Sequence, residues 1–189
     1  MDKAILNQFI SQLKDNLYYC DIAIIKMHSL EWAETKENIF EFFFYAEALF
    51  NALANIAKIL DSDKNPSRSV TIKQTLNIKE KKISNIKNRQ FRNTNEHYDE
   101  RIDELEKAGI QDFYQLDHII TDNFLFYKPL SNFGRIYVTG EKTFYFQNAT
   151  LKPTTVNMTV IKEELDYLKN VVYEYCDRNN MEYIVYKKD

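Results

Sequence analysis

Glycine and proline are scarce in this chain, with three of each among 189 residues. Tight turns and short β-connections depend on these two residue types, so their scarcity favours long helices. The chain is also rich in large apolar side chains, with 13 Phe, 13 Tyr and 44% hydrophobic residues in all. That composition is sufficient for a buried core without disulfides or metals. We therefore predict a single, mainly α domain that spans residues 1–189.

Helical periodicity predicts the order of the elements. Apolar residues recur at three- and four-residue steps from Asp2 to Leu30, and a second helix is predicted from Ile39 to Leu60. Two long helices joined by a short polar link are expected to pack antiparallel, as in an up-down helical bundle. Three more helices are predicted over residues 70–77, 79–108 and 159–178, with Gly109 ending the second of these.

A short β-prone stretch precedes the last helix. The runs Arg135–Val138 and Lys142–Phe146 flank Thr139-Gly140-Glu141, a segment able to close a turn. We predict a small β-hairpin there, inserted at about residues 133–150. Its aromatic side chains suit either base stacking or core packing, and half-buried strands favour the core. The residues concerned are Phe144, Tyr145 and Phe146.

Polar residues along the second predicted helix bear on where the protein resides. They would be costly in hydrocarbon, so Ile39 to Leu60 is interpreted as a core helix rather than a membrane span. The N-terminal residues show no secretory signal pattern. We expect a cytoplasmic protein that does not associate with membranes. The polar residues are Glu41, Glu47, Asn51, Asn55 and Lys58.

Cysteine and histidine usage gives no sign of a metal or cofactor. Cys20 and Cys176 lie far apart and outside any CxxC pair, so we expect reduced, buried thiols. His28 and His118 have no metal-ligating neighbour at a short spacing and are interpreted as structural or incidental. No Gly-rich phosphate loop or zinc-like cluster occurs in the sequence.

Charge is distributed unevenly along the chain. The net charge is −3, yet residues 64–92 hold nine basic side chains against one acid, Glu80. Such a segment either binds a polyanion, such as RNA or a nucleotide, or forms a solvated helix face with compensating charges. The basic residues are Lys64, Arg68, Lys73, Lys79, Lys81, Lys82, Lys87, Arg89 and Arg92.

The stretch Arg92-Asn93-Thr94-Asn95-Glu96-His97 closes the basic segment. Five residues of helix rotate by about 500°, which leaves Arg92 and His97 roughly 140° apart around the axis. Asn93 and His97 share a face. One helix therefore does not aim both the arginine and the histidine at one point. A two-fold dimer that packs this helix against its copy would line one cleft with two Arg and two His.

RNA strand cleavage is the chemistry that suits such a cleft. RNA carries its own nucleophile, the 2′-OH, beside the scissile phosphate. His97 would take or give a proton near neutral pH, and Arg92 would hold the phosphate. Asn93 would position the phosphate or the imidazole by a hydrogen bond. Lys87 and Arg89, just ahead of the motif, would contact the RNA backbone.

Two polar residues of the second predicted helix have two interpretations. Glu47 and Asn51 either lie on the solvent face of an otherwise apolar helix, or they face the cleft and orient His97.

The stretch from Arg92 to His97 resembles the Arg–His motif of the HEPN superfamily (higher eukaryotes and prokaryotes nucleotide-binding), in which a polar residue such as Asn93 follows the arginine. The resemblance implies a helical bundle, a homodimer and a composite cleft of Arg and His. Many members are metal-independent endoribonucleases in toxin–antitoxin, abortive-infection or CRISPR-linked defence, which implies an antitoxin protein as a further partner.

This chain departs from one variant of that motif. The variant has a tyrosine two positions after the histidine, whereas here Tyr98 is adjacent and Asp99 takes that place. Other members of the superfamily bind nucleotides without cleaving RNA. A non-catalytic nucleotide-binding or protein-interaction helical module is therefore the alternative expectation.

Overall fold

A computed structural model describes residues 1–32, 35–87, 103, 106–107, 109, 118–122, 134–147 and 153–182. Within them the chain is mainly helical, with a small β-sheet before the last helix, so the predicted fold class is confirmed at that level. The up-down bundle stays a prediction. The helices are α1 (Lys3–Leu30), α2 (Lys36–Leu60), α3 (Pro66–Thr75) and α4 (Met158–Arg178); the strands are β1 (Ile119–Thr121), β2 (Arg135–Val138), β3 (Thr143–Gln147) and β4 (Pro153–Asn157).

The chain divides into two compact units. The first unit is drawn from Met1–Ile25, Ala48–Arg89 and Val160–Asp189. The second unit is drawn from Lys26–Glu47 and Gln90–Thr159. Both long N-terminal helices therefore contribute to both units.

The first unit is a helical core. Its buried apolar side chains follow the helical period along α1, the second half of α2, and α4. Polar contacts add to this packing: Tyr175 Oη donates to Asn7 Oδ1 at 2.9 Å, which joins α4 to α1. The core residues include Ile10, Leu13, Leu17, Leu49, Leu53, Ile56, Leu60, Ile161, Leu168 and Val172.

Lys169 of α4 joins two carboxylates in the same unit. Its Nζ lies 2.7 Å from Asp21 of α1 and 2.7 Å from Asp166 of its own helix. Burial alone would lower the pKa of Lys169, but the hydrogen bonds to Asp166 and Asp21 outweigh it, and the pKa is raised. The lysine is therefore charged and fixes α4 against α1.

Helix α3 begins four residues earlier than predicted. Pro66 occupies its first turn, where a missing N–H costs nothing, and Asn65 caps it by accepting a hydrogen bond from the Arg68 N–H at 3.4 Å. A proline within a polar run is typical of a break between helices, but its fixed φ suits the first turn of a helix equally well. Ser69 secures α3 by donating to the Ile59 carbonyl at 3.0 Å.

The predicted helix over residues 79–108 is wrong in its first turns. A single 3-10 turn spans Glu80–Lys82, and residues 83–87 form further turns rather than an α-helix. The physical reason is that the N–H groups of Asn85 and Ile86 donate to a side chain of α4 instead of to carbonyls one turn back. Gly109 has φ +72° and donates to the Glu106 carbonyl at 2.9 Å, as predicted for the residue that ends a helix.

The second unit contains a four-stranded sheet with the order β1-β2-β3-β4. The predicted hairpin is confirmed: β2 pairs antiparallel with β3, and Val138 lies opposite Thr143. Two strands were not predicted. β1 pairs parallel with β2, and β4 pairs antiparallel with β3. Pro153 begins β4 at the edge of the sheet, where a missing N–H is tolerated.

One face of the sheet packs on aromatic side chains from the first half of α2. The Phe42 ring lies 4.9 Å from the Tyr137 ring and 5.9 Å from the Phe144 ring. The Phe144 and Phe146 side chains are fully buried, which confirms core packing for these two hairpin aromatics. Burial of this kind stabilises the unit by about 2 kcal/mol or more for each large aromatic ring.

Helix α2 is long and apolar enough to cross a bilayer by length and composition. It is the one helix among the described residues with that property, and half of its most apolar stretch is buried. A core helix passes the same test. The expected absence of a membrane role stays a prediction.

Candidate functional site

The Arg–His motif lies outside the described residues. Arg92, Asn93 and His97, together with Arg89, are not among the residues that the structure describes. The angular separation of Arg92 and His97 around one helix therefore stays a prediction. The described structure instead defines the segment that leads into the motif, together with the surroundings of Glu47, Asn51 and Lys87.

A buried carboxylate binds residues 84–86, which precede the motif in the sequence. Glu164 of α4 is 7% exposed, and both of its oxygens accept the Asn85 backbone N–H at 3.0 Å. The Ile86 N–H and Asn85 Nδ2 donate to it at 2.8 Å each, and Ser84 Oγ donates at 3.4 Å. A carboxylate in a ring of N–H donors makes strong, charge-assisted hydrogen bonds. Residues 84–86 are thereby held six residues ahead of Arg92.

Glu80, the one acidic residue of the basic segment, forms ion pairs with two of its lysines. Glu80 pairs with Lys73 of α3 through one carboxylate oxygen and with Lys87 through the other. These hydrogen bonds, first that of Lys73 and then that of Lys87, hold the pKa of Glu80 below its ordinary value. Lys87 was predicted to contact RNA, and in this structure its ammonium group is bound to a carboxylate. Lys79, Lys81 and Lys82 are exposed beside it.

If the basic segment binds RNA, Glu80→Gln is expected to raise the affinity severalfold at low salt. The substitution removes the negative charge and frees Lys73 and Lys87 for phosphate. Fluorescence anisotropy with a labelled RNA would measure the change, with the exposed Glu163→Gln as the matched control. Equal affinities for both variants would contradict the prediction.

The pH dependence of the same ion pairs follows from the lowered pKa of Glu80. A carboxylate whose folded pKa is depressed contributes stability above its unfolded pKa and loses it as the pH falls through the folded value. The segment is therefore expected to keep both ion pairs at mildly acidic pH.

Glu47 has a different partner from the one predicted by the cleft hypothesis. Its carboxylate pairs with Nη1 of Arg135, the first residue of β2, within the second unit. Arg135 is 8% exposed, so its guanidinium is almost wholly withdrawn from water beside this carboxylate. Asn51, one turn further along α2, is exposed, as the solvent-face interpretation predicts.

Arg135 also contacts a histidine that the sequence did not connect to it. Its Nη2 lies 2.7 Å from His118 Nε2, and the His118 ring lies 4.9 Å from Phe43 and 5.1 Å from Phe40. Arginine has only donors, so a hydrogen bond between these two atoms has Nε2 as its acceptor. His118 has φ +58°, an uncommon value for a non-glycine residue.

The sequence pattern did not show that Glu47, Arg135 and His118 come together. These residues lie far apart in the chain and meet because β1 and β2 are parallel neighbours and α2 packs on their sheet. β1 is three residues long, too short for its alternation to be recognised. As described, the group stabilises the second unit by joining α2 to the sheet.

A second buried carboxylate lies at the end of α1. Glu31 is 5% exposed; it accepts a hydrogen bond from Tyr137 Oη at 3.2 Å and lies 3.1 Å from His28 Nδ1. Burial first, and then the charge of Glu31, raise the pKa of Tyr137. Tyr137 is therefore a neutral donor at physiological pH, and His28 lies against Glu31.

Both cysteines are free and buried, as predicted. Burial is the main cause that raises the pKa of the Cys20 thiol and of the Cys176 thiol. A raised pKa suppresses the thiolate, which is the reactive form. Neither residue is suited to nucleophilic catalysis.

We predict that neither thiol reacts with Ellman's reagent in the folded protein. Two equivalents should appear after denaturation, because Cys20 and Cys176 become exposed only then. Absorbance of the released thiolate would give the stoichiometry, and rapid modification of the native protein would contradict the burial.

Among the described residues, no group of three His, Cys, Asp or Glu side chains is arranged to hold a metal ion. Comparison with known proteins adds no assignment: the chain matches no protein-family model, no curated protein and no solved structure.

Proposed function

We propose that the protein is a homodimeric, metal-independent endoribonuclease of the HEPN type. The observation that carries the proposal is the stretch Arg92-Asn93-Thr94-Asn95-Glu96-His97 at the end of a basic segment. Its setting in toxin–antitoxin or phage defence, with an antitoxin protein as partner, belongs to the same proposal.

The proposed reaction is an internal transfer within RNA. His97 removes the proton of the 2′-OH, the 2′-oxygen bonds to phosphorus, and the bond from phosphorus to the 5′-oxygen breaks. The leaving 5′-oxygen takes a proton from the His97 of a second copy. Arg92 binds the non-bridging phosphate oxygens, on which negative charge builds up. The products are a 2′,3′-cyclic phosphate and a 5′-hydroxyl.

One feature of the described residues supports this proposal. Lys79, Lys81 and Lys82 are exposed in the basic segment, where they add positive charge for a phosphate backbone.

The test is incubation of the purified protein with RNA in the presence of EDTA. We expect cleavage of RNA, and no cleavage of a strand with deoxyribose at the scissile position, because the nucleophile is then missing. Cleavage of the deoxy strand, or activity that appears only with added divalent metal, would contradict the proposal. Copurifying nuclease is excluded when the His97→Ala protein, prepared identically, leaves the RNA intact.

The alternative is RNA or nucleotide binding without turnover through the same exposed lysines. This alternative predicts affinity that falls steeply with salt, together with no cleavage products.

A further inference from the structure

Two lysine side chains converge on one point of the first unit. Lys73 Nζ donates to one oxygen of the Glu80 carboxylate, and Lys87 Nζ donates to the other. The side chains of Lys73 and Lys87 are only 14% and 23% exposed, whereas that of Glu80 is 51% exposed. We call Lys73 and Lys87 the lysine pair. Glu80 is therefore the member of this group that is most open to solvent.

The backbone on both sides of the lysine pair is held by hydrogen bonds. Asn77, with φ +52°, follows the end of α3, and the Ile78 N–H donates to the Lys73 carbonyl at 2.8 Å. The Lys87 N–H donates to the carbonyl of Ile83, a fully buried residue, at 3.1 Å. The two ammonium groups thus remain close together when Glu80 turns away. An anion that replaces Glu80 meets a preorganised pair of donors.

Glu80 is a weakly held occupant of the lysine pair. Water competes for a carboxylate that is half exposed, so its ion pairs contribute little to stability. A carboxylate also carries one negative charge, as does the phosphodiester of a nucleic-acid backbone. A terminal phosphate carries about 1.5–2 negative charges at pH 7, and two of its oxygens are spaced much as those of a carboxylate. A terminal phosphate is therefore the stronger ligand for two ammonium groups.

Exposed lysines beside Glu80 indicate what the terminal phosphate is attached to. Lys79, Lys81 and Lys82 are all exposed in the same stretch of chain. Their charges suit the phosphodiesters that follow the end of a strand. We infer that the lysine pair binds the terminal phosphate of a nucleic-acid strand, and that Glu80 occupies this site in the free protein. The inference does not depend on the proposed cleavage, because the Arg–His motif takes no part in it.

Anisotropy with two labelled DNA oligonucleotides of one sequence tests the site. One strand ends in a 5′-phosphate and the other in a 5′-hydroxyl, and neither has the 2′-OH that the proposed cleavage needs. We expect the phosphorylated strand to bind about tenfold more tightly at low salt, as charge-assisted hydrogen bonds to the terminal group allow. Equal affinities for the two strands would overturn the inference, whether or not the protein cleaves RNA.

Substitutions in the lysine pair locate the preference. Lys73→Gln and Lys87→Gln should each remove most of the difference between the two strands. Lys81→Gln is the matched comparison, because Lys81 is exposed in the same 3-10 turn and lies outside the pair. It should weaken both strands equally and keep the preference. Lys73→Arg should also keep the preference, which separates a lost charge from a folding defect. A preference that Lys81→Gln lowers as much as Lys73→Gln does would overturn the inference.

Glu80→Gln tests whether the carboxylate occupies the site. Removal of a competing ligand should raise the affinity for the phosphorylated strand more than that for the hydroxyl strand. An equal rise for both strands would reflect net charge alone and would overturn the role of Glu80 as occupant. Inorganic phosphate should displace the phosphorylated strand more effectively than chloride at the same ionic strength, because screening is then equal. Binding of vesicles that contain phosphatidic acid, without a preference between the two strands, would assign the lysine pair to a lipid surface instead.

Discussion

Replacing His97 by alanine is expected to lower the rate of RNA cleavage by a factor of about 10²–10⁴, the usual contribution of a positioned proton-transfer group. Affinity for RNA should change little, because the imidazole is not needed to hold the backbone. The measurement is single-turnover cleavage with saturating protein, combined with binding by anisotropy. His28→Ala is the matched control, since His28 contacts Glu31 in the second unit and has no role in the proposed reaction.

Arg92 gives a complementary result. Arg92→Ala should lower both RNA binding and RNA cleavage. Arg92→Lys should recover binding better than cleavage, because lysine supplies a positive charge without the bidentate hydrogen bonds of a guanidinium. Mixing the Arg92→Ala and His97→Ala proteins tests whether the site is shared. Mixed dimers then hold one intact arginine and one intact histidine on different copies. Activity should rise above that of either parent, but only in part, because the second histidine of the proposed reaction is missing. Two inactive proteins that stay inactive after mixing and subunit exchange would contradict a composite cleft.

Replacing Glu164 by alanine is expected to destabilise the protein by about 2–3 kcal/mol, since the buried Ile86 N–H and the part-buried donors of Asn85 then lose their acceptor. The donors are the backbone N–H groups of Asn85 and Ile86 and the side chain of Asn85. Glu164→Gln should cost less, because the amide oxygen still accepts. Urea unfolding measures the change, with Glu163→Ala as the control one position away on the exposed side of α4.

A second readout locates the effect of Glu164. Hydrogen exchange of peptides that contain residues 84–87 should speed up in the Glu164→Ala protein, while peptides from α1 stay protected. If the stability of the Glu164→Ala protein matched that of the Glu163→Ala protein, the carboxylate would not be the anchor of this turn.

The helices were predictable where one face is buried along their whole length. The predicted and observed bounds of the first helix, the second helix and α4 agree closely, because burial there imposes a simple apolar period. The helix prediction was wrong over residues 80–87. Their helix-like pattern of Ile83 and Ile86 is genuine burial, but the turn is closed by Glu164, a residue 78 positions away from Ile86. No local pattern contains that information.

The sheet shows the same limit. β2 and β3 were recognisable from two β-prone runs on either side of a turn, whereas β1 has three residues and β4 begins at a proline. The contact of Arg135 with Glu47 and His118 depends on that sheet, so it could not be predicted before β1 was known. The motif itself was found from residue types alone, and the described residues leave its geometry untested.

The Glu164 contact also sets an order of events during synthesis. Ser84, Asn85 and Ile86 leave the ribosome long before the carboxylate that holds them, and Tyr175 must emerge before it can meet Asn7. In a nascent chain the basic segment is therefore present before Glu164 can bind it. The turn closes only when α4 has been made. The turn that precedes the proposed RNA site would therefore form only after α4 has left the ribosome.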